Sequence, residues 1–363
     1  MKREAAAAFI SFGVTLGLAP LIRRFCQRTH ILDEPGSLKI HAQPIPRLGG
    51  VAIFFGLLAG IAASDTHKFT AHWQFFAAIF VIWAAGLIDD LRGLSAGSRL
   101  SVQVLCALFL WQGGWHIPLA ANAPTQIVLL CLFVILFANS FNFLDGSDGL
   151  ATGVSCVIAV SYLAMPRTAL TPLGFSAALG MAAVCVAFLL FNWHPASIFL
   201  GDSGSTLLGF LAAFVSLDFA SKTGGGGDSL TLVFAIAALP IFDALRVIAK
   251  RIALHTSPTS GDRCHFYDAL LASGWSTGSI AALSWTVVAS CGAIAVTVVR
   301  MRASIAWSVV AFVLVATCIH LATTVRGKNS TAASGAAEKH SVCEVFVGAG
   351  NRAEPSPQEG KKL

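Results

Sequence analysis

The run from residue 139 to 153, NSFNFLDGSDGLATG, holds two carboxylates three residues apart, Asp145 and Asp148, and two amides, Asn139 and Asn142. It joins one long apolar run, ending near Leu144, to another that starts near Leu150. Glycines at 146, 149 and 153 let the backbone turn tightly and come close to a ligand. Asn, Asp and Gly also build ordinary turns, but a turn alone needs only about three of them. Ionisable groups at membrane depth are costly and as a rule line a functional cavity, so this crowd reads as a site.

Further acids stand elsewhere. Asp89 and Asp90 close the run GLIDDLRGL at 86–94, with Arg99 further on. Adjacent carboxylates at a helix C-terminus meet the negative end of the helix dipole and repel each other, so a cation or a proton-transfer role suits them better than a cap. Asp202 lies in GDSGS, 201–205, just before a helix. Alone it reads as an N-terminal cap; beside the other acids it reads as a ligand. The first polar loop, 33–50, places Lys39, His41 and Arg47 among prolines, and a solvated basic loop accounts for them as well as an anion site does. A later run carries Asp243 and Arg246 and leads into SGDRCHFYD, 260–268, where Arg263 and His265 could bind an anion or stand as ordinary exposed residues.

Five acids, Asp89, Asp90, Asp145, Asp148 and Asp202, thus converge without an equal number of nearby bases, a cluster that calls for a divalent cation. Carboxylate and amide oxygens select Mg2+ or Mn2+ over zinc. Mg2+ keeps positions open for phosphate oxygens, and Arg99, Arg263, Lys39 and His265 supply further positive charge. Such a site at a lipid–water boundary suits a reaction between a soluble nucleotide and a lipid phosphate.

The elements that must position these residues are membrane helices. Hydrophobic residues make up 56% of the chain and charged residues 12%, with a mean hydropathy of +0.75; a soluble domain carries about 25% charged residues. The continuous apolar runs lack the alternation of a membrane barrel. An all-α polytopic bundle is expected, with about eleven spans: 5–22, 48–64, 73–88, 99–112, 126–143, 150–164, 173–191, 205–220, 230–249, 280–299 and 304–323. Lys2 and Arg3 precede the first run, but Arg23 and Arg24 follow it without a cleavage site, so it stays a membrane helix. The polar chemistry follows spans one, three, five, seven and nine, and therefore opens on one side. That side carries 16 Lys and Arg against 7 on the other, which places it in the cytoplasm. Residues 1–323 form the membrane-embedded domain and 324–363 a disordered cytoplasmic tail. The nine cysteines, odd in number and mostly inside apolar runs, read as small hydrophobes, neither disulfides nor a zinc site. The net charge of +6 needs anionic headgroups and no nucleic acid.

At these residues the chain resembles the polyprenyl-phosphate N-acetylhexosamine-1-phosphate transferases. The likeness covers about residues 5–323 and rests on motifs in order: K-x-H-x-x-P-x-P-R-x-G-G (39–50), the Asp89–Asp90 pair, N-x-x-N-x-x-D-G-x-D-G-L (139–150), G-D-S-G-S (201–205) and a histidine loop (262–268). The resemblance implies transfer of a sugar-1-phosphate from a UDP-sugar to undecaprenyl phosphate with release of UMP, at the cytoplasmic face of a bacterial inner membrane. It implies that Asn142 and Asp202 hold Mg2+ on the pyrophosphate, and that Asp145 and Asp148 position the nucleotide or the metal. Asp89 and Asp90 would face the lipid phosphate, with Asp89 a base or equally an aligner, because a phosphate monoester with a second pKa near about 6 is largely ionised unaided. His265 joins the catalytic set, and Lys39, His41, Arg47, Arg99, Asn139, Arg263 and Tyr267 the substrate contacts. UDP-sugar, undecaprenyl phosphate and membrane lipids are the implied partners, and a homodimer is compatible with them. Where many members have further histidines, this chain has Tyr267 and Asp268. The His-x-Tyr form resembles the branch that starts O-antigen chains with N-acetylated 6-deoxy-hexosamines such as FucNAc or QuiNAc; UDP-GlcNAc is the alternative donor. An ion-coupled transporter would instead put acids inside spans and show an internal repeat, and a phosphatidyl-type transferase would take a CDP-linked donor.

Overall fold

In the computed structural model the described residues are 2–36, 39, 41–64, 67–117, 119, 122–224, 227–255, 257 and 263–333, with side chains described as far as 319. They form an all-helical bundle with one two-stranded ribbon. In chain order the elements are α1 (Lys2–Thr29), β1 (Leu32–Asp33), β2 (Ile45–Pro46), α2 (Gly49–Ser64), α3 (His67–Ala71), α4 (Trp73–Arg92), α5 (Ala96–Gln112), α6 (Ala123–Leu144) and α7 (Leu150–Leu163). Then follow α8 (Pro172–Asn192), α9 (Gly201–Lys222), α10 (Gly227–Ile236), α11 (Ala238–Ala253), α12 (Phe266–Leu271), α13 (Thr277–Met301) and α14 (Ala306–Ala333). Four helix starts carry side-chain caps: Ser95, Asn122, Thr171 and Ser276 each accept a backbone N–H of the first turn.

Helix α9 is the axle. It is apolar all round, and 94% of its membrane-length window is buried, the signature of a helix with neighbours on every side. Helices α2, α4, α6, α7 and α8 surround it. Close approach on the site side depends on glycines. A Cβ on Gly50 would collide with the backbone of Gly204 and meet Ser203 at 2.5 Å, and one on Gly86 would meet the Ser203 backbone at 2.5 Å.

Each expected span falls on a helix, but the count of eleven full crossings is not met by length and composition. Among the described residues six helices are long and apolar enough to cross a bilayer, seven if the bent pair α10–α11 counts as one; α2, α7 and the described part of α14 are apolar but shorter. The ninth expected span, 230–249, is broken at Ala237 by a bend of 83°. Pro240 explains the corner. Its ring excludes the carbonyl four residues back, that of Ile236, where α10 ends; in the first turn of α11 its missing N–H costs nothing. Helix α14 continues ten residues past the expected boundary at 323, since extending a formed helix is easier than starting one; the remainder of the expected tail lies outside the described residues. Among the described residues seven cysteines are free thiols. Cys264 departs from expectation: it is disulfide-bonded, and it stands in a polar loop rather than an apolar run.

The polar loops gather at one end of the bundle. Phe199 N–H donates to the Pro46 carbonyl at 2.7 Å, and the amides of Gly49 and Gly50 donate to Phe199 and Leu200. At the other end Arg167 pairs with Glu4 at 3.2 Å, Lys68 reaches Ser176, and Asp218 accepts from Thr171 and Trp115.

Candidate active site

The site is built where α4 ends on the start of α9. Asp90, 3% exposed, accepts the Asp202 amide on Oδ1 at 2.8 Å, and the Ser203 amide and hydroxyl on Oδ2 at 3.0 and 2.7 Å. The carboxylate of one helix therefore caps another, where the positive end of the α9 dipole welcomes it. Gly201 makes the approach feasible: its φ of 74° suits glycine, and a Cβ there would meet both Asp90 oxygens at under 3 Å. The sequence, with the other acids in view, read Asp202 as a ligand rather than a cap and Asp90 as facing the lipid phosphate. In the structure Asp90 caps, and Asp202 turns its carboxylate elsewhere.

It turns toward α6. Asn142 Nδ2 donates to Asp202 Oδ1 and, at 3.1 Å, to Ser205 Oγ. Asp202 also lies within interaction range of Asp89 and Arg99. Arg99 pairs closely with Asp89, its Nε 2.6 Å from Oδ2 and its Nη2 donating to Oδ1 at 3.3 Å, a contact strengthened by the charge on both partners. Asp89, Arg99, Asn142 and Asp202 form the polar end of a cavity whose apolar wall includes Ile82 and Val102. Asn139 lines it too, held by the buried Gln103 through Nδ2 to Oε1 at 2.8 Å.

Asp145 and Asp148 part company. Asp145 ends α6. Burial, then the carboxylates of Asp202, Asp90, Asp148 and Asp33, push its carboxyl well above the usual carboxylate range. Asp148 Oδ2 is taken by His194 Nδ1 at 2.8 Å and the Ala196 amide at 3.1 Å, so it organises the loop between α8 and α9. The basic residues of the first loop gather on Asp33: Lys39 Nζ at 2.8 Å, His41 Nε2 at 2.9 Å and Arg47 Nη1 at 3.8 Å. Arg47 also donates to the Asp90 carbonyl, which ties this loop to the end of α4.

The last loop closes over the same end. His265 stacks parallel on Tyr267 with ring centroids 5.2 Å apart. The Tyr267 hydroxyl donates to the Phe143 carbonyl at 3.1 Å and sits against Gly146, where any Cβ would collide with it. Burial and then the carboxylates of Asp268, Asp243 and Asp145 push the Tyr267 phenol up, so it stays a donor. Arg263 pairs with Asp268 at 3.1 Å, and Asp268 also accepts the His265 amide.

All fourteen candidate residues lie on the loops and helix ends of this one face, but the five acids do not share one cation. Asp90 and Asp148 are committed to backbone amides, Ser203 and His194, and among the described residues no group of three or more carboxylate, imidazole or thiol side chains is placed to hold a metal. Asp202, the Asn142 amide oxygen, Asp145 and the second carboxylate oxygen of Asp148 are the oxygens left. That set fits Mg2+, which usually takes one or two protein carboxylates and completes its shell with water and phosphate. The excess of carboxylates around Asp145 points the same way. Sequence reasoning overlooked Asp33, Gln103 and His194 because their roles appear only as contacts between distant segments.

The model of glycosyl transferase family 4 matches residues 72–220, which contain Asp89, Asp145, Asp148 and Asp202. The probable undecaprenyl-phosphate N-acetylglucosaminyl 1-phosphate transferase of Bacillus subtilis (strain 168) is 31% identical over 286 residues, covering 76% of this chain and 79% of that protein. The chain belongs to the polyprenyl-phosphate N-acetylhexosamine-1-phosphate transferase family. The transferase is also 30% identical over 307 residues to the decaprenyl-phosphate N-acetylglucosaminephosphotransferase of Mycolicibacterium smegmatis, covering 74% of this chain and 75% of that one. The undecaprenyl-phosphate alpha-N-acetylglucosaminyl 1-phosphate transferase of Escherichia coli (strain K12) is 26% identical, covering 75% and 78%. As a member, the transferase is an integral membrane enzyme that moves a substituted phosphate group.

Proposed function

We propose that the transferase moves N-acetylglucosamine-1-phosphate from UDP-GlcNAc to a polyprenyl phosphate, undecaprenyl phosphate in the first instance, at the cytoplasmic face of the inner membrane. The observation that carries this reading is the cavity whose polar end joins Asp89, Arg99, Asn142 and Asp202 and whose wall is apolar, since it offers charge and hydrocarbon side by side. The relatives' names favour GlcNAc over the 6-deoxy sugars that the His-x-Tyr form suggested. Tyr267 also has a task independent of the sugar, its hydrogen bond to Phe143.

In this mechanism an oxygen of the lipid phosphate attacks the β-phosphorus of UDP-GlcNAc. The bond to the α-phosphate bridging oxygen breaks and UMP leaves. Asp202 and Asn142 would hold Mg2+, with Asp145 beside them, and the ion would neutralise the pyrophosphate charge. Arg99 pairs with the Asp89 carboxylate, so Asp89 aligns the incoming phosphate rather than serving as an indispensable base. Lys39, His41 and Arg47, gathered on Asp33, face the anionic substrates from the first loop, and Arg263 and His265 from the last. Asp90 contributes by holding the start of α9. Catalysis is then mainly placement and charge neutralisation.

The test is UMP release by purified protein offered a panel of UDP-sugars with undecaprenyl phosphate. UDP-GlcNAc is expected to turn over fastest, and chelation to abolish release until Mg2+ is restored. A UDP-6-deoxy-hexosamine that outpaces UDP-GlcNAc would return the donor to the O-antigen-initiating reading, and release unaffected by chelation would remove the metal.

A further inference from the structure

Asp243 has no part in the transfer just described, yet at 1% exposure it is among the most enclosed carboxylates of the chain. It lies on α11, beyond the 83° corner. Its two oxygens are used differently. Oδ1 accepts the Phe266 amide at 3.0 Å and Arg246 Nη2 at 3.1 Å, while Oδ2 meets His265 Nδ1 at 2.7 Å. Arg246 reaches past it to the Cys264 carbonyl at 2.5 Å, so the backbone on both sides of His265 is clamped.

The imidazole is constrained on every side that these contacts define. It is 5% exposed, one face stacks on Tyr267, and the Phe143 ring lies 5.5 Å away. A neutral imidazole has one nitrogen that donates and one that accepts. A carboxylate on Nδ1 keeps the proton there and leaves Nε2 as the remaining polar atom. Asp90 supplies the comparison. It also caps a helix from outside, but there Ser203 and two backbone amides occupy both oxygens. If Asp243 served only to cap α12, no imidazole would be needed on Oδ2.

We infer that Asp243 is a positioning residue: it holds His265 as the Nδ1–H tautomer, stacked on Tyr267, so that Nε2 is the atom offered to substrate. This rests on the proposal that His265 contacts substrate in the transfer reaction.

The test is a double-mutant cycle on the full-length protein, measuring UMP release from UDP-GlcNAc and undecaprenyl phosphate. Asp243→Asn is expected to lower kcat about 10–100-fold, as loss of an orienting partner does, with little change in KM; its thermal midpoint falls as well, because the buried Arg246 pair is lost, so turnover is compared well below that midpoint. In the His265→Gln background the same change is expected to add nothing. Additive losses, or wild-type turnover in Asp243→Asn, overturn the inference. No UMP from the wild type with any UDP-sugar would overturn the transfer reading and this role together, whereas an active wild type with an unaffected Asp243→Asn overturns this role alone. The tautomer is read without any Asp243 variant, from 15N spectra of histidine-labelled wild type in which the His265 signal is identified by its loss in His265→Gln. Nδ1 protonated and Nε2 bare, at a pH where the ring is neutral, supports the inference, and the opposite tautomer overturns it.

Discussion

Asp90 and Asp202 meet at the first turn of α9, and there their chemistry diverges. Asp90 accepts three hydrogen bonds from that turn; Asp202 shares Asn142 and an excess of negative charge. The two amide substitutions should therefore separate stability from activity. Asp90→Asn is expected to lose about 2 kcal/mol of stability, the scale of a charged hydrogen bond, read as a lower thermal midpoint. Asp202→Asn is expected to keep the midpoint and lose about 10²–10³-fold in UMP release, the scale of removing one electrostatic contact to the reacting group. Near-normal turnover in Asp202→Asn would refute its metal role. The positions of both acids were legible in the sequence, because charge inside apolar runs is conspicuous. That Asp90 is the acid that caps α9 was not: it reaches an amide 112 residues away, and no local spacing encodes that.

Helix contacts show the same division between what a pattern reveals and what only packing decides. The apolar runs located every expected helix, and the glycines near 50, 86 and 204 were visible as letters. That they form one seam against α9 became clear only from the distances. Gly50→Ala is expected to destabilise by about 1–3 kcal/mol, the cost of overpacking, because the atoms it would meet include the Gly204 and Ser203 backbones, which cannot rotate away. Gly13→Ala on α1 meets nothing within 4 Å and is expected to stabilise by about 1 kcal/mol, the helix preference of alanine over glycine. Thermal midpoints of the two variants would check the contrast. The corner at Ala237 could have been read from Pro240, but the apolar residues on both sides of it, 232–242, concealed it.

Across the whole bundle, the alternation of polar chemistry after every second apolar run implied a single working end, and hydrogen bonds join those loops as that alternation requires. Sidedness is checked with a membrane-impermeant thiol reagent in a background stripped of native cysteines. A cysteine at the exposed position of Gly97 is expected to react only from the cytoplasm, and one at the exposed Thr70 only from outside; reversed labelling would invert the topology. The 83° corner carries a last consequence. It sets the histidine loop on a limb that leaves the bundle axis and returns through a few polar latches, while the acids are mounted on a backbone junction without slack. Substitutions on the limb are expected to reach the acids only through those latches, whereas substitutions at the junction are expected to disable turnover with every donor alike. Diversification among such enzymes should accordingly collect on the limb, as interchangeable tooling fitted to an unchanging frame.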